Sequence, residues 1–343
     1  MRAMLLEQLG DIRANPRPLI ARDVSRPDPA AGHVLIRVAA CGVCHTELDE
    51  IEGRLPPSAL PRIPGHQVVG SVEDVAFGVD RKWIGARVGV AWIHQACGTC
   101  AACAAGLENL CPAFVGTGKD VDGGYAEYMT APAAFIHRIP ENFADVEAAP
   151  LLCAGAIGYR SLALANLQNG QPLGLTGFGA SGHLVLLMAR ARYPQSRVHV
   201  FARAERERDL ARALGAAWTG NTEEHAPEPL AAIIDTTPVW TPVVEALDNL
   251  APGGRLVINA IRKESGDRDA LLRLDYPRHL WLEKEIKSVA NVTRADVRAC
   301  LDLAGTVPIK PETETYPLES ANEALVELKR GGLRGAKVLL ISS

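Results

Sequence analysis

Between about residue 155 and residue 290 the chain repeats one pattern, an apolar run followed by a turn and an amphipathic stretch, and this restricts the fold more than any other feature. The segments "PLGLTGFGASGHLVLLMARARY", "RVHVFARAERERDLARALGA" and "AAIIDTTPVWTPVVEALDNLAPGGRLVINAI" all carry it. Strands buried on both faces and joined through helices pair in parallel, so the alternation predicts a doubly wound α/β sheet. The first turn holds Gly177, Gly179 and Gly182 in G-x-G-x-x-G spacing, after the strand "PLGLT" and before the helix "HLVLLMARAR". In that context the first glycine allows a tight turn, the second lets the backbone approach a pyrophosphate, and the third permits close helix packing. The helix N-terminus then faces the phosphates. About 20 residues on, an acid would ordinarily accept the ribose hydroxyls of NAD. Ala202 and Arg203 stand there instead, which favours NADP slightly, because arginine binds a 2′-phosphate by charge-assisted hydrogen bonds. Arg203 stacking on adenine in an NAD enzyme is the other reading.

The other segments are organised differently. Residues 1 to about 150 hold short runs such as "HVLIRVAA", "VVGSVEDV" and "ARVGVAWI" among Gly and Pro, the pattern of antiparallel β structure. After residue 290 come two helical segments, "TRADVRACLDLA" and "LESANEALVELKRG", and a last strand, "AKVLLIS". So short a tail is expected to rejoin the first domain, giving 1–154 with 291–343 against 155–290; a chain of 343 residues suits such a division. The net charge of −4 offers no footprint for nucleic acid. The charged start lacks the apolar core of a signal peptide, and "EAAPLLCAGAIGYRSLALANL" is interrupted by Arg160. The expectation is therefore no membrane span and a cytoplasmic protein, whose thiols stay reduced.

Half of the eight cysteines lie in one lobe, about residues 94–112, where Cys97, Cys100, Cys103 and Cys111 follow C-x2-C-x2-C-x7-C spacing. Short C-x2-C steps let sulfurs converge on one tetrahedral ion, and four thiolates leave no position for substrate, so the lobe reads as a structural zinc site. Cys44, His66 and Cys153 make a second set: two thiolates and an imidazole would leave a tetrahedral zinc one open position. Their separation allows no spacing argument, and each alone reads equally as a structural residue.

With "CGVCHTEL", "PGHQVVG", "GGYAEY", "PLLCAG", "GFGASG" and "LAPGGRLVINA" added to the cysteine lobe, essentially the full length resembles the zinc-dependent alcohol dehydrogenases of the medium-chain dehydrogenase/reductase superfamily. That resemblance implies a GroES-like, mostly-β catalytic domain beside a Rossmann domain, and NAD(P)-dependent interconversion of an alcohol with an aldehyde or ketone. It implies two zinc ions per chain, a catalytic one on Cys44, His66 and Cys153 and a structural one on the four-cysteine lobe, with Cys41 and Cys300 as packed thiols. Thr46 matches the hydroxyl that begins the proton relay. Asp49 replaces the histidine that completes it in many relatives. Glu47 stands where a shorter carboxylate supports the histidine ligand. Trp92 and Leu55 match the alcohol pocket, with packing beneath the zinc lobe as the plainer role for Trp92, and His45 would face the pyrophosphate. Gln67 replaces a carboxylate next to His66, and Ala336 an arginine near that carboxylate. Both losses are expected to slow ligand exchange at zinc without removing it. Relatives are commonly homodimers or homotetramers.

Two competing readings stay open on the sequence: a zinc-free quinone or enoyl reductase of the same superfamily, and a non-catalytic nucleotide- or zinc-binding relative. All seven zinc-binding residues argue against the first; Gln67 and Asp49 leave room for the second.

Overall fold

The computed structural model describes residues 1–307, 309–331 and 335–341. They form two units, one of Met1–Cys153 with Val292–Ser343 and one of Ala154–Asn291. In the first, the strand His33–Val43 is the spine. It pairs antiparallel with Val68–Val75, Tyr128–Pro132 and Ala336–Leu340, so residues from both ends of the unit meet on one strand. Val34, Ile36, Val38 and Cys41 along it are fully buried, and Leu339 and Ile341 from the tail join the same core. The sheet is not purely antiparallel: Thr313–Pro317 pairs in parallel with Ala336–Leu340. The tail strand ends at Leu340, and the expected Ser342 lies outside the described residues. The run "ARVGVAWI" divides into two strands, Arg87–Val90 and Ile93–Gln95, which pair with different partners.

A lysine fastens the tail. Lys337 is 2% exposed, yet its ammonium reaches Glu314 at 2.8 Å and Glu327 at 2.6 Å, and it also donates to the Tyr316 hydroxyl. Burial opposes its charge, but those partners carry its pKa above the usual lysine value.

The second unit is a six-stranded parallel sheet in the order 3-2-1-4-5-6 along the chain. Its first strand, Leu173–Thr176, lies between Val198–Phe201 and Leu230–Asp235. The strand order reverses there, and dinucleotides bind at such a point in doubly wound folds. Among the described residues no single helix is long and apolar enough to cross a membrane.

Two histidines of the first unit make its stability pH-dependent. Burial, with His33 nearby, lowers His94 to about 4; burial, with Arg298 and Arg294, lowers His137 to about 4. Unfolded histidine titrates near 6.5. Between these values the unfolded chain binds more protons, so the stabilisation is complete above about pH 6.5 and is lost as the pH falls toward 4. The melting temperature should drop across that window, and a His94→Gln/His137→Gln double variant should give a flatter melting profile against pH.

Candidate functional site

Cys44 sits at the N-cap of the short helix His45–Ile51, with extended backbone. Glu47, three residues on, closes a capping box by accepting from the Cys44 backbone N–H through Oε2 at 2.9 Å. Its other oxygen, Oε1, lies 2.6 Å from His66 Nδ1. Glu47 and His66 are both essentially unexposed. With a proton held on Nδ1 beside this carboxylate, Nε2, which faces Cys44 Sγ at 3.6 Å, is the nitrogen that would ligate a cation. Cys153 Sγ completes the group, and the three ligand atoms lie within 4.8 Å of one another. One carboxylate thus fixes the cap of one ligand and the tautomer of another.

The donor set fits zinc. A hydrogen bond shared with Cys153, then burial and the Glu47 charge, push the Cys44 thiol well above its usual range. Without a cation the Cys44 thiol therefore keeps its proton, and a divalent cation reverses that balance by stabilising the thiolate. In the lobe, the sulfurs of Cys97, Cys100, Cys103 and Cys111 also lie within 4.8 Å of one another. Backbone N–H groups point at them: Cys100 N to Cys97 Sγ at 3.3 Å, Cys103 N to Cys100 Sγ at 3.5 Å, and Cys97 N to Cys111 Sγ at 3.3 Å. N–H groups from Thr99 and Cys100 lower Cys97 to about 6, so the loop favours thiolate there. Arg294 grips the lobe through Glu108, with Nε to Oε1 at 2.8 Å, and stacks over Phe135 at 4.5 Å.

Around the first set, Trp92 is half-buried, with its ring centroid 6.3 Å from that of His66 and its edge against Phe114 at 5.5 Å. It thus lies beside the histidine of the cluster and packs against Phe114, just past the lobe. Thr46 is half-exposed in the first turn of the helix, and His45 is exposed beside it. Asp49 is buried, and its Oδ1 accepts from Arg54 Nε at 2.6 Å and Nη2 at 2.5 Å. Leu55 is half-buried, with its N–H bonded to the Asp49 carbonyl. The Gln67 side chain packs over Gly42, where an added Cβ would lie 2.6 Å from its Oε1. Ala336 precedes Lys337, which pairs with Val43 in the adjoining ladder.

Sequence reasoning does not find Arg54, although a cation five residues after Asp49 was the available signal. It also misses Glu50, which is 1% exposed with neither carboxylate oxygen hydrogen-bonded. Burial and the Glu47 charge push its pKa well above the carboxylate range, which favours its neutral form.

The glycine turn fits a dinucleotide. Gly177 has φ +79°, a Cβ on Gly182 would lie 2.6 Å from the Gly177 carbonyl oxygen, and a Cβ on Gly179 would meet nothing within 4 Å. The second glycine therefore opens onto free space at the N-cap of the helix Ala180–Arg192. Ala202 is buried; Arg203 is exposed, and the carbonyls of both accept from Arg208.

Comparison with known proteins agrees with this geometry. Residues 30–141 match the family described as "Alcohol dehydrogenase GroES-like domain". The chain is 43% identical to the "Probable alcohol dehydrogenase AdhA" of Mycobacterium tuberculosis (strain CDC 1551 / Oshkosh), over 99% of this chain and 97% of that one. It is 35% identical to an "Alcohol dehydrogenase" of Geobacillus stearothermophilus, over 94% and 96%. Among solved structures it superposes on a cinnamyl alcohol dehydrogenase from Sorghum bicolor with TM-score 0.84 at 28% identity, covering 99% of this chain and 97% of that one.

Glu47→Ala should weaken zinc at the Cys44–His66–Cys153 set by about 10–100-fold, the usual cost of losing such a partner. Competition with a chromophoric chelator, resolving the two sites, measures this; the cysteine lobe should retain its metal.

Proposed function

The chain belongs to the zinc-type medium-chain alcohol dehydrogenases, and from that premise we propose how its own residues carry the reaction. It is an oxidoreductase that interconverts alcohols with aldehydes or ketones, using zinc and NAD(P). The observation that carries the assignment is the convergence of Cys44, His66 and Cys153 on one point, with Glu47 behind the imidazole. Zinc held there supplies Lewis acidity toward the substrate oxygen, and the nicotinamide supplies the two-electron acceptor for the hydride.

The chain's residues do the rest. Cys44, His66 and Cys153 are the catalytic ligands; the four lobe cysteines hold a second, structural zinc, so the expected content is two ions per chain. Thr46 takes the proton from the substrate hydroxyl and passes it toward Asp49, which lies one turn further along the same helix. The Arg54 fork holds the Asp49 carboxylate in place, and the proton reaches it through a ribose hydroxyl or a water. Trp92 beside His66 narrows the substrate site toward slender alcohols, with Leu55 as a second wall. His45, exposed next to Cys44, serves the cofactor phosphates. Gln67 folded over Gly42 offers zinc no anionic alternative during ligand exchange, so exchange is slow.

Arg203 supports NADP over NAD, because its exposed guanidinium takes the place of a carboxylate that would repel a 2′-phosphate. Assembly as a homodimer or homotetramer is supported by the end of the nucleotide sheet, where Glu285–Ser288 is an edge strand exposed along its length and Ile286 is 47% exposed. Eight cysteines with no disulfide among them fit a reducing compartment such as the cytoplasm.

An initial-rate panel of alcohols and aldehydes with NAD(H) and NADP(H) tests the reading. Turnover with a primary or secondary alcohol and a higher kcat/KM with NADP are expected; absence of hydride transfer to every carbonyl tried would refute it. Thr46→Ala should cut kcat by about 10²–10⁴-fold, the typical contribution of positioned proton transfer. Unchanged turnover removes Thr46 from the relay.

A further inference from the structure

The phosphate turn is held by more than its glycines. Thr176 immediately precedes Gly177, and in the sheet register it lies opposite Asp235, on the strand across the point where the order reverses. Asp235 is fully buried and its carboxylate is saturated. Oδ1 accepts from Thr176 Oγ1 at 2.6 Å, from Thr237 N at 3.2 Å and from Thr237 Oγ1 at 2.8 Å, while Oδ2 pairs with the Lys263 ammonium. The Lys263 side chain is 7% exposed, and it also donates to the carbonyls of Thr237 at 2.8 Å and Val239 at 3.0 Å. Its three protons are thereby used, so it is not free to bind phosphate.

Between these anchors, Thr236 bears directly on the turn. Its hydroxyl donates to the carbonyls of Thr176 at 3.0 Å and Gly177 at 3.3 Å. A Cβ on Gly177 would lie 2.9 Å from both Thr236 Oγ1 and Thr237 Cγ2. Lys263 comes from the loop after the fifth strand of the parallel sheet, Leu250–Ile258, so the pair joins three loop ends at one side of the sheet.

Stability alone is a weak reason to bury such a pair. Well-packed apolar replacements are often neutral or better, whereas a pair that fixes local geometry has a use packing does not supply. We propose that Asp235 and Lys263 are positioning residues for the dinucleotide: together they press Thr236 and Thr237 against the turn that starts at Gly177 and so set its affinity for the cofactor pyrophosphate. This rests on the reading of that turn as the NAD(P) site.

The test is fluorescence titration of zinc-loaded enzyme with NADH and NADPH, alongside steady-state kinetics and melting curves. The variants are Lys263→Met, the Asp235→Asn/Lys263→Met double and Thr176→Val. Lys263→Met should raise the nucleotide Kd and the cofactor KM by about tenfold or more, the scale of a lost charge-assisted hydrogen bond, while kcat at saturating cofactor moves far less. The double variant, with no uncompensated buried charge, should regain most of the melting temperature and still bind cofactor weakly. It and Thr176→Val, expected to raise Kd by roughly threefold, carry the test if Lys263→Met does not fold. A double variant that recovers both melting temperature and cofactor affinity would show the pair to be structural only and overturn the inference. So would folded variants with wild-type Kd for both nucleotides. Wild-type enzyme that binds neither nucleotide overturns the cofactor reading and this inference with it.

Discussion

The two oxygens of Glu47 hold the cluster of Cys44, His66 and Cys153 in shape. One accepts from the backbone of Cys44 and the other meets the far nitrogen of His66, so a helix cap and a histidine tautomer share one carboxylate. If that group is lost, the helix end loosens and the imidazole can turn its lone pair away from the sulfurs. Ligand type alone does not make a zinc site; the groups behind the ligands orient them. The longer glutamate, in a place where relatives carry aspartate, still spans both contacts because Cys44 stands at the cap itself.

The same device recurs elsewhere in the chain. Arg294 binds the cysteine lobe through Glu108 and covers Phe135, Lys337 ties the last strand to Glu314 and Glu327, and Asp235 with Lys263 braces the phosphate turn. Each ion pair ties together separate segments of the chain, and the directionality of its hydrogen bonds fixes geometry where apolar contact would permit sliding.

Local features were readable from the residues. The glycine spacing gave a turn whose three positions behave as expected, with Gly177 at positive φ, Gly179 open and Gly182 against the carbonyl of Gly177. The cysteines at 97, 100 and 103, with Cys111 close behind, could only converge on one another. Long-range matters were less legible. "ARVGVAWI" reads as one strand but divides, because its two halves find different partners. Asp49 reads from the sequence only as the stand-in for a relay histidine, and the Arg54 contact on one of its oxygens appears only in the fold. Glu50 gave no signal at all, since one more acid in a helix that already holds Glu47 and Asp49 looks solvent-exposed until the surrounding chain covers it.

What the sequence by itself determined was the compact, local patterns: the parallel α/β alternation, the cysteine lobe and the glycine turn. These depend on neighbours within a turn or a strand, whose geometry is set by backbone sterics and short-range hydrogen bonds. Only the tertiary structure decided that Cys153 comes to the sulfur of Cys44 and the imidazole of His66, and that Lys263 reaches the carboxylate behind the Gly177 turn. Those meetings depend on loop closure over tens of residues, and sequence spacing carries no information about which of many distant side chains the packed core will bring together.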